Sequence, residues 1–537
     1  MTSTQKHIFA LLLFMAVAAF ALFTWPNAVA SQNLSMVQMF QPDEAAVLPY
    51  VQQMITPAPT LNLALRHFVF YEYYYYGFPY FGASAMLLLP LRWLGLLGNI
   101  SLVMLILRQF ISVLPMLAAL LLLVYMQDGF RSYRSPVLFA FLLAVPAVVQ
   151  NNLWWHPDGI AFLLVVLTLF FLKRDNLRFG WNFLLAAAMS GIATATKLVG
   201  VYFFLAVGLT LLLGLLLRKV SWKKLIGMAL AFLFVMGLAY LITNPFLLSH
   251  WARTAYKYIL HKQTWLLAEG YGVVYDKGLA AAWPLIQNSF GEAIFLFVAL
   301  GAAIWGAWRG PQRLLHGLIL TWFIPITVVV LWLSHFKFQY WMPVALPLLS
   351  SLVVLLPEKW NLGEMWRKSR PLQRTGLSVR IVALLIILFQ AILFVKSDVQ
   401  RINSDLHQAI NNPRILFYDE VMKTLEPIPA GGPLHVYYDY RLYVPETPGW
   451  TTETNYDLLE YGYIQNGKFD VLLLLEQRIR DYLNPNVTGI DPDLFALNQR
   501  FYRDADNETI NGYHLVYRNS LGLVYVKDVL YQQYFEK

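Results

Sequence analysis

PYFGASAMLLLPLRWLGLLG, residues 79–98, is apolar enough to pass for a membrane crossing, yet Pro90 and Arg92 interrupt it. Its reading decides the topology, because every full crossing exchanges the two membrane faces for all that follows. As a crossing, it would put Arg131 and Arg134 on the outer face and invert each later basic connector. As a juxtamembrane or re-entrant hairpin, it leaves those connectors in the cytoplasm, where Lys and Arg concentrate in membrane proteins. They are 131–134, KRDNLR at 173–178, RKVSWKK at 218–224, 309–313, and EKWNLGEMWRKSRPLQR at 358–374. The hairpin reading is adopted. It predicts about eleven spans of helical crossing length, at roughly 8–30, 109–127, 136–153, 158–172, 181–197, 199–217, 225–243, 289–308, 314–333, 338–356 and 379–396.

Composition points the same way. A 537-residue chain that is 58% hydrophobic and only 13% charged, with a mean hydropathy of +0.51, falls outside the range of soluble globular proteins. The absence of Cys excludes disulfides, thiolate metal sites and cysteine nucleophiles. The net charge of +9 conceals a split, +17 over residues 1–396 and −8 over 397–537. The basic balance therefore reflects cytoplasmic anchors and gives no reason to expect a nucleic-acid partner.

The first apolar run, from Ile8 to Trp25, is long enough to span, and Ala28-Val29-Ala30 resembles a signal-peptidase site. An uncleaved signal anchor is expected, with Lys6 inside and residue 31 outside. The last span delivers the remainder to the outer face. Residues 397–537 turn polar, with strand-like runs at LHVYYDY (434–440), FDVLLLL (469–475), YHLVYR (513–518) and LGLVYVKD (521–528), and a hairpin turning at Asn519 to Gly522. The expected architecture is a polytopic α-helical membrane domain, 1–396, followed by a soluble extracytoplasmic α/β domain, 397–537.

Residues 1–396 hold only 11 of the 31 acidic residues, and two of them, Asp43 and Glu44, are adjacent in QPDEAAVLPY (41–50). Behind Pro42 they suit the first turn of a helix. The same outer face gathers further polar residues: Arg66; Glu72 inside FVFYEYYYYGFPYF; His156 and Asp158 in NNLWWHPDG; Lys197 in TATKLVG; His335, Lys337, Gln339 and Tyr340 in HFKFQYW; and the loop 244–288. Singly, each has an ordinary structural account. The aromatic run suits an interfacial belt, Lys197 could snorkel, Asp158 could simply begin a helix, and 250–262 could lie on the membrane surface. Together, acids and cations at one interface supply what a reaction on a lipid-linked phosphate requires. A carboxylate takes the acceptor's proton, and a cation neutralises the departing phosphate.

The outer acidic pair, the HPD turn, Lys197 in GIATATKLVG, an outer H-x-K-x-x-Y-x-x-P element and an extracytoplasmic α/β tail together resemble the GT-C glycosyltransferases. The likeness is to the protein O-mannosyltransferase and lipid A aminoarabinose transferase branch, and in layout it covers nearly all of 1–396. That resemblance implies a polyprenyl-phosphate sugar donor and transfer with inversion to an acceptor hydroxyl of a lipid, polysaccharide or protein. It implies Asp43 as general base with Glu44 beside it, Asp158 orienting substrate, and Lys197, Lys337 and Arg66 on the phosphate. His156, Glu72, His335 and Tyr340 complete the substrate-binding candidates. Lys337 and Gln339 stand where relatives often carry Arg.

Metal-using members of that superfamily cluster acids as DxD in outer loops. Residues 1–396 have no such cluster, and Asp491-Pro492-Asp493 reads as a solvated turn of the tail, so no metal or other cofactor is expected. Two other classes compete. A transporter or flippase of a lipid-linked sugar would want ionisable residues at mid-membrane depth and broken helices in matched halves. A non-catalytic anchor presenting the tail would need only one span. The expected location is the inner or plasma membrane, with membrane lipids as surroundings and the site facing outward.

Overall fold

The computed structural model describes residues 2–269, 277–333, 336–357, 371–429, 432–487, 490–491 and 493–536. Among these, six helices are long and apolar enough to cross a membrane: Ser3–Val29 (α1), Ile100–Asp128, Val199–Leu216, Trp222–Ile242, Arg313–Trp332 and Ser378–Thr424. Two bent pairs raise the number to eight if each is one span: Arg134–Leu143 with Pro146–Asn152, bent by 64°, and Leu279–Phe290 with Ala293–Arg309, bent by 78°. The segment expected to cross at 136–153 is therefore a bent pair of helices and not one continuous helix. Pro146 at the start of its second half lacks the N–H that a continuous helix would use.

The chain is an integral membrane protein, and α1 shows why. Ile8, Leu12, Ala16 and Phe23 recur at helical spacing and are buried, while Phe14, Val17, Leu22 and Trp25 on the other faces are each more than half exposed. Apolar side chains all round, buried on one stripe only, need a lipid solvent for the rest. Trp222–Ile242 goes further, with Phe232 as its one buried residue.

The chain divides into two compact units. The first comprises 1–27, 50–259 and 277–402, and holds the helical core around Leu169, Phe183, Trp322 and Met342. The second comprises 28–49, 260–276 and 403–537. The boundary expected at 396/397 falls within the helix Pro371–Asn411, and the acid-bearing segment near the start belongs to the second unit.

Residues 31–78, which follow the first span, are largely helical: Leu34–Phe40 (α2), Pro42–Met54 (α3) and Leu61–Val69 (α4). The signals are local. Asn33 Oδ1 accepts the Met36 amide at 2.8 Å, Thr60 Oγ1 accepts that of Leu63 at 3.3 Å, and Pro42 opens α3 with Asp43 and Glu44 in its first turn. The following helix, Phe78–Trp93 (α5), has 16 residues, short of the ~20 of an upright crossing.

The tail forms a five-stranded sheet ordered β2-β1-β3-β5-β4 from Leu434–Tyr438 (β1), Trp450–Glu453 (β2), Val471–Leu475 (β3), Tyr513–Arg518 (β4) and Gly522–Lys527 (β5). β1 runs parallel to β2 and β3, while β3/β5 and β5/β4 are antiparallel. The strands expected at four places are all present, and the hairpin turns as expected, with the Asn519 amide donating to the Gly522 carbonyl. The short polar β2 was not anticipated. β3 is buried throughout: Val471 and Leu473 pack in one layer with Phe417 and Val421, Leu472 and Leu474 in the other with Phe501 and Tyr502. Alternation at a period of two feeds both layers, as in a sheet covered on both faces.

Candidate active site

The first unit brings together three residues that the sequence marked separately. Asp158 begins the helix Asp158–Asp175 and is 2% exposed. Its Oδ2 pairs with Nδ1 of His156, and its Oδ1 accepts from the Lys197 ammonium. Lys197 ends the helix Trp181–Lys197, where Leu198 takes a left-handed conformation (φ 54°) and stops it. Its side chain is 18% exposed, and its ammonium is anchored by Asp158. The Tyr340 ring lies under that ammonium, 5.4 Å from Nζ to the centroid.

On the other side of His156, Nε2 lies 2.9 Å from the Tyr76 hydroxyl. The carboxylate accepts a hydrogen bond from Nδ1–H, so in the neutral ring Nε2 accepts from Tyr76. Trp154 stacks on the imidazole at 4.1 Å and 2°, and the Tyr76 ring meets it edge-on at 4.9 Å. The result is a fixed line of polar groups, Tyr76–His156–Asp158–Lys197.

Backbone approaches hold the line in place. A Cβ on Gly159 would come within 2.7 Å of the Ser112 carbonyl oxygen, and Ser112 Oγ accepts the His156 amide at 3.3 Å. Gly77 donates its amide to the Thr196 carbonyl at 3.1 Å, which ties the residue after Tyr76 to the residue before Lys197. Below the turn, Trp155 donates from Nε1 to Ser84 Oγ at 3.0 Å.

Arg66 is exposed in the last turn of α4, and Glu72 is exposed with a left-handed backbone (φ 65°). Lys337 caps the helix Phe338–Ser350, partly buried. His335 lies outside the described residues. In the second unit, Asp43 is exposed and Glu44 fully buried. Four rings of the aromatic run are core: Tyr71, Tyr74, Tyr80 and Phe81 are buried, with Tyr71 stacked on Phe81 at 4.2 Å and Tyr74 on Phe246 at 4.6 Å. An interfacial belt would leave those rings outward, so the belt reading is corrected for these four. Tyr76 and Trp154 were missed as site residues, because one Tyr among four consecutive ones carries no separate signal. Among the described residues, no three His, Asp or Glu gather as a metal site would require.

No family model matches the chain, and no curated protein matches it by sequence. Solved structures do. ArnT from Cupriavidus metallidurans, bound to undecaprenyl phosphate, aligns over 98% of both chains with 13% identity and a TM-score of 0.52. The archaeal oligosaccharyltransferase AglB from Archaeoglobus fulgidus, in complex with an inhibitory peptide and a dolichol-phosphate, aligns over 89% of this chain and 70% of its own, with 12% identity and a TM-score of 0.51. The chain is similar in fold to these two proteins. At such low identity a shared fold carries no residue roles with it. What the chain could do at this site rests on the groups just described.

Proposed function

We propose that this protein transfers a sugar from a polyprenyl-phosphate carrier to an acceptor hydroxyl at the outer face of the membrane. The observation that carries the reading is a partly buried cation held on a buried carboxylate, the Lys197–Asp158 pair, set in a GT-C-like fold. Two proteins of similar fold support the donor class, ArnT by its undecaprenyl phosphate and AglB by its dolichol-phosphate.

In this reaction the acceptor oxygen attacks the anomeric carbon, and the bond from that carbon to the phosphate oxygen breaks with inversion. Both electrons of the broken bond leave with the phosphate, so a stable anion departs and no general acid is needed. Asp43 takes the acceptor's proton, with Glu44 beside it. Lys197 neutralises charge growing on the phosphate, with Lys337 and Arg66 as further cations. Its rotamer is fixed beforehand by Asp158 and Tyr340, so little reorganisation is left for the reaction itself. With both oxygens occupied, Asp158 suits positioning better than proton transfer.

One observation favours lipid translocation instead: the two sharply bent helix pairs, since transporters use broken helices. Transfer of radiolabelled sugar from synthetic polyprenyl-phosphate donors to membrane acceptors separates the two, comparing wild type with Asp43→Asn. Loss of a general base should lower transfer by at least about a hundredfold. A wild type that transfers nothing from any donor rejects the glycosyltransferase reading.

A further inference from the structure

The second unit unites the acid-bearing segment with the tail, although some 350 residues separate them in sequence. Four side-chain hydrogen bonds fasten residues 33–39. Asn33 Nδ2 donates to the Tyr443 hydroxyl at 3.3 Å, and Ser35 Oγ to the Val444 carbonyl at 2.6 Å. The Tyr438 hydroxyl donates to Gln38 Oε1 at 3.1 Å, and the Arg414 guanidinium to the Met39 carbonyl at 2.8 Å. A fifth reaches the acidic pair. The Tyr456 hydroxyl donates to the Pro42 carbonyl at 3.0 Å, and that carbonyl belongs to the peptide bond joined to Asp43.

Tyr456 sits on a loop that is itself fixed from inside. Arg478, 5% exposed, pairs with buried Asp439 at 2.7 Å and donates to the backbone carbonyls of Asn455 at 3.2 Å, Tyr456 at 3.3 Å and Asp457. The other Asp439 oxygen accepts the Leu475 amide at 2.7 Å, at the end of the central strand. The Tyr440 ring contacts both ends of this arrangement, 5.3 Å from the Arg478 guanidinium and 4.8 Å from the Tyr456 ring. A buried ion pair costs desolvation that packing alone would avoid, so its use beneath a surface loop needs a purpose beyond stability.

We infer that Tyr456 is a positioning residue for Asp43, and that the tail's Asp439–Arg478 pair is the foundation on which it stands. The inference rests on the proposed role of Asp43 as base. The tail thus acts on the reaction by holding the first turn of α3 at one place. Charge coupling between the two residues agrees: burial, and after it the Asp43 carboxylate, push the Tyr456 hydroxyl well above the ordinary tyrosine range.

The test is a cycle of Tyr456→Phe, Asp43→Asn and the double variant in the full-length protein, with two readouts. In sugar transfer, Tyr456→Phe should lower kcat about five- to tenfold, the worth of one hydrogen bond, with donor KM within about twofold. Added to Asp43→Asn it should cost nothing further, because a group acting through Asp43 has nothing left to act through. In hydrogen exchange, the Glu44 and Ala45 amides, both bonded to the Gln41 carbonyl, should exchange about tenfold faster in Tyr456→Phe while β3 stays protected. Wild-type kcat in Tyr456→Phe, an independent loss in the double variant, or unchanged exchange at those amides overturns the inference and leaves the proposed function standing. A wild type without transfer overturns both. Arg478→Lys, which keeps the charge and loses the fork of donors, should fall between wild type and Tyr456→Phe.

Discussion

Gly77 and Ala195 approach so closely that a Cβ added to Gly77 would sit 1.5 Å from the Ala195 carbonyl oxygen. The Gly77 backbone is ordinary extended chain (φ −79°, ψ 160°), so the requirement for glycine is one of space and not of conformation. Backbone lies on both sides of the contact, and neither can swing away like a side chain. Gly77→Ala should therefore push the Tyr76 turn off the end of the Trp181–Lys197 helix. Overpacking of this kind costs about 1–3 kcal/mol, and thermal unfolding in detergent should show a lower Tm. An unchanged Tm would refute the close approach.

The Asp158–Lys197 pair makes a second prediction. Removing one partner of a buried ion pair leaves the other charge uncompensated, at about 3–5 kcal/mol. Asp158→Asn and Lys197→Met should each destabilise the first unit toward that figure, less for Lys197→Met because its vacancy is partly solvated. Asp158→Asn/Lys197→Met should cost clearly less than the sum. A double-mutant cycle by chemical unfolding checks this, and coupling below about 0.5 kcal/mol would mean that the two groups do not pair.

These two cases mark where sequence reasoning reached and where it stopped. Charges that have no business in an apolar chain are conspicuous, so His156, Asp158 and Lys197 could be picked out singly. The tail's strands were visible because Val, Leu and Tyr run together between turn residues. What stayed hidden depends on packing. Tyr76 and Trp154 gain their roles only from the ring between them, and Gly77 matters because of a helix end over a hundred residues away. The start of α3 was legible at Pro42 and its two acids, while the caps of α2 and α4 at Asn33 and Thr60 passed unread. Nothing in NYDLLEYGY marks Tyr456, since its partner is a main-chain carbonyl.

The Tyr76–His156–Asp158 line predicts a tautomer. Asp158 accepts a hydrogen bond from the Nδ1–H, which stays on the ring, and Nε2 is the acceptor for Tyr76. Nitrogen-15 spectra of histidine-labelled protein at neutral pH should show His156 with a protonated Nδ1 and an unprotonated Nε2. Tyr76→Phe should move the Nε2 resonance and leave Nδ1 nearly in place. A protonated Nε2 with a bare Nδ1 would reverse the direction of the line.

The tail's pH response follows from Tyr513, whose hydroxyl donates to the Phe469 carbonyl at 2.7 Å. Burial, with the charges of Asp470 and Asp528 behind it, pushes that hydroxyl from 10.0 up to about 12. In the unfolded chain the proton leaves near 10, so between pH 10 and 12 the unfolded state binds fewer protons than the folded one, and stability falls as pH rises. The contribution is whole below pH 10 and gone above 12. Unfolding of the tail, measured from pH 8 to 11.5 in wild type and Tyr513→Phe, should show a stability gap between them that narrows above pH 10. A gap independent of pH would mean that Tyr513 ionises alike in both states, and that its hydrogen bond to Phe469 does not hold the proton.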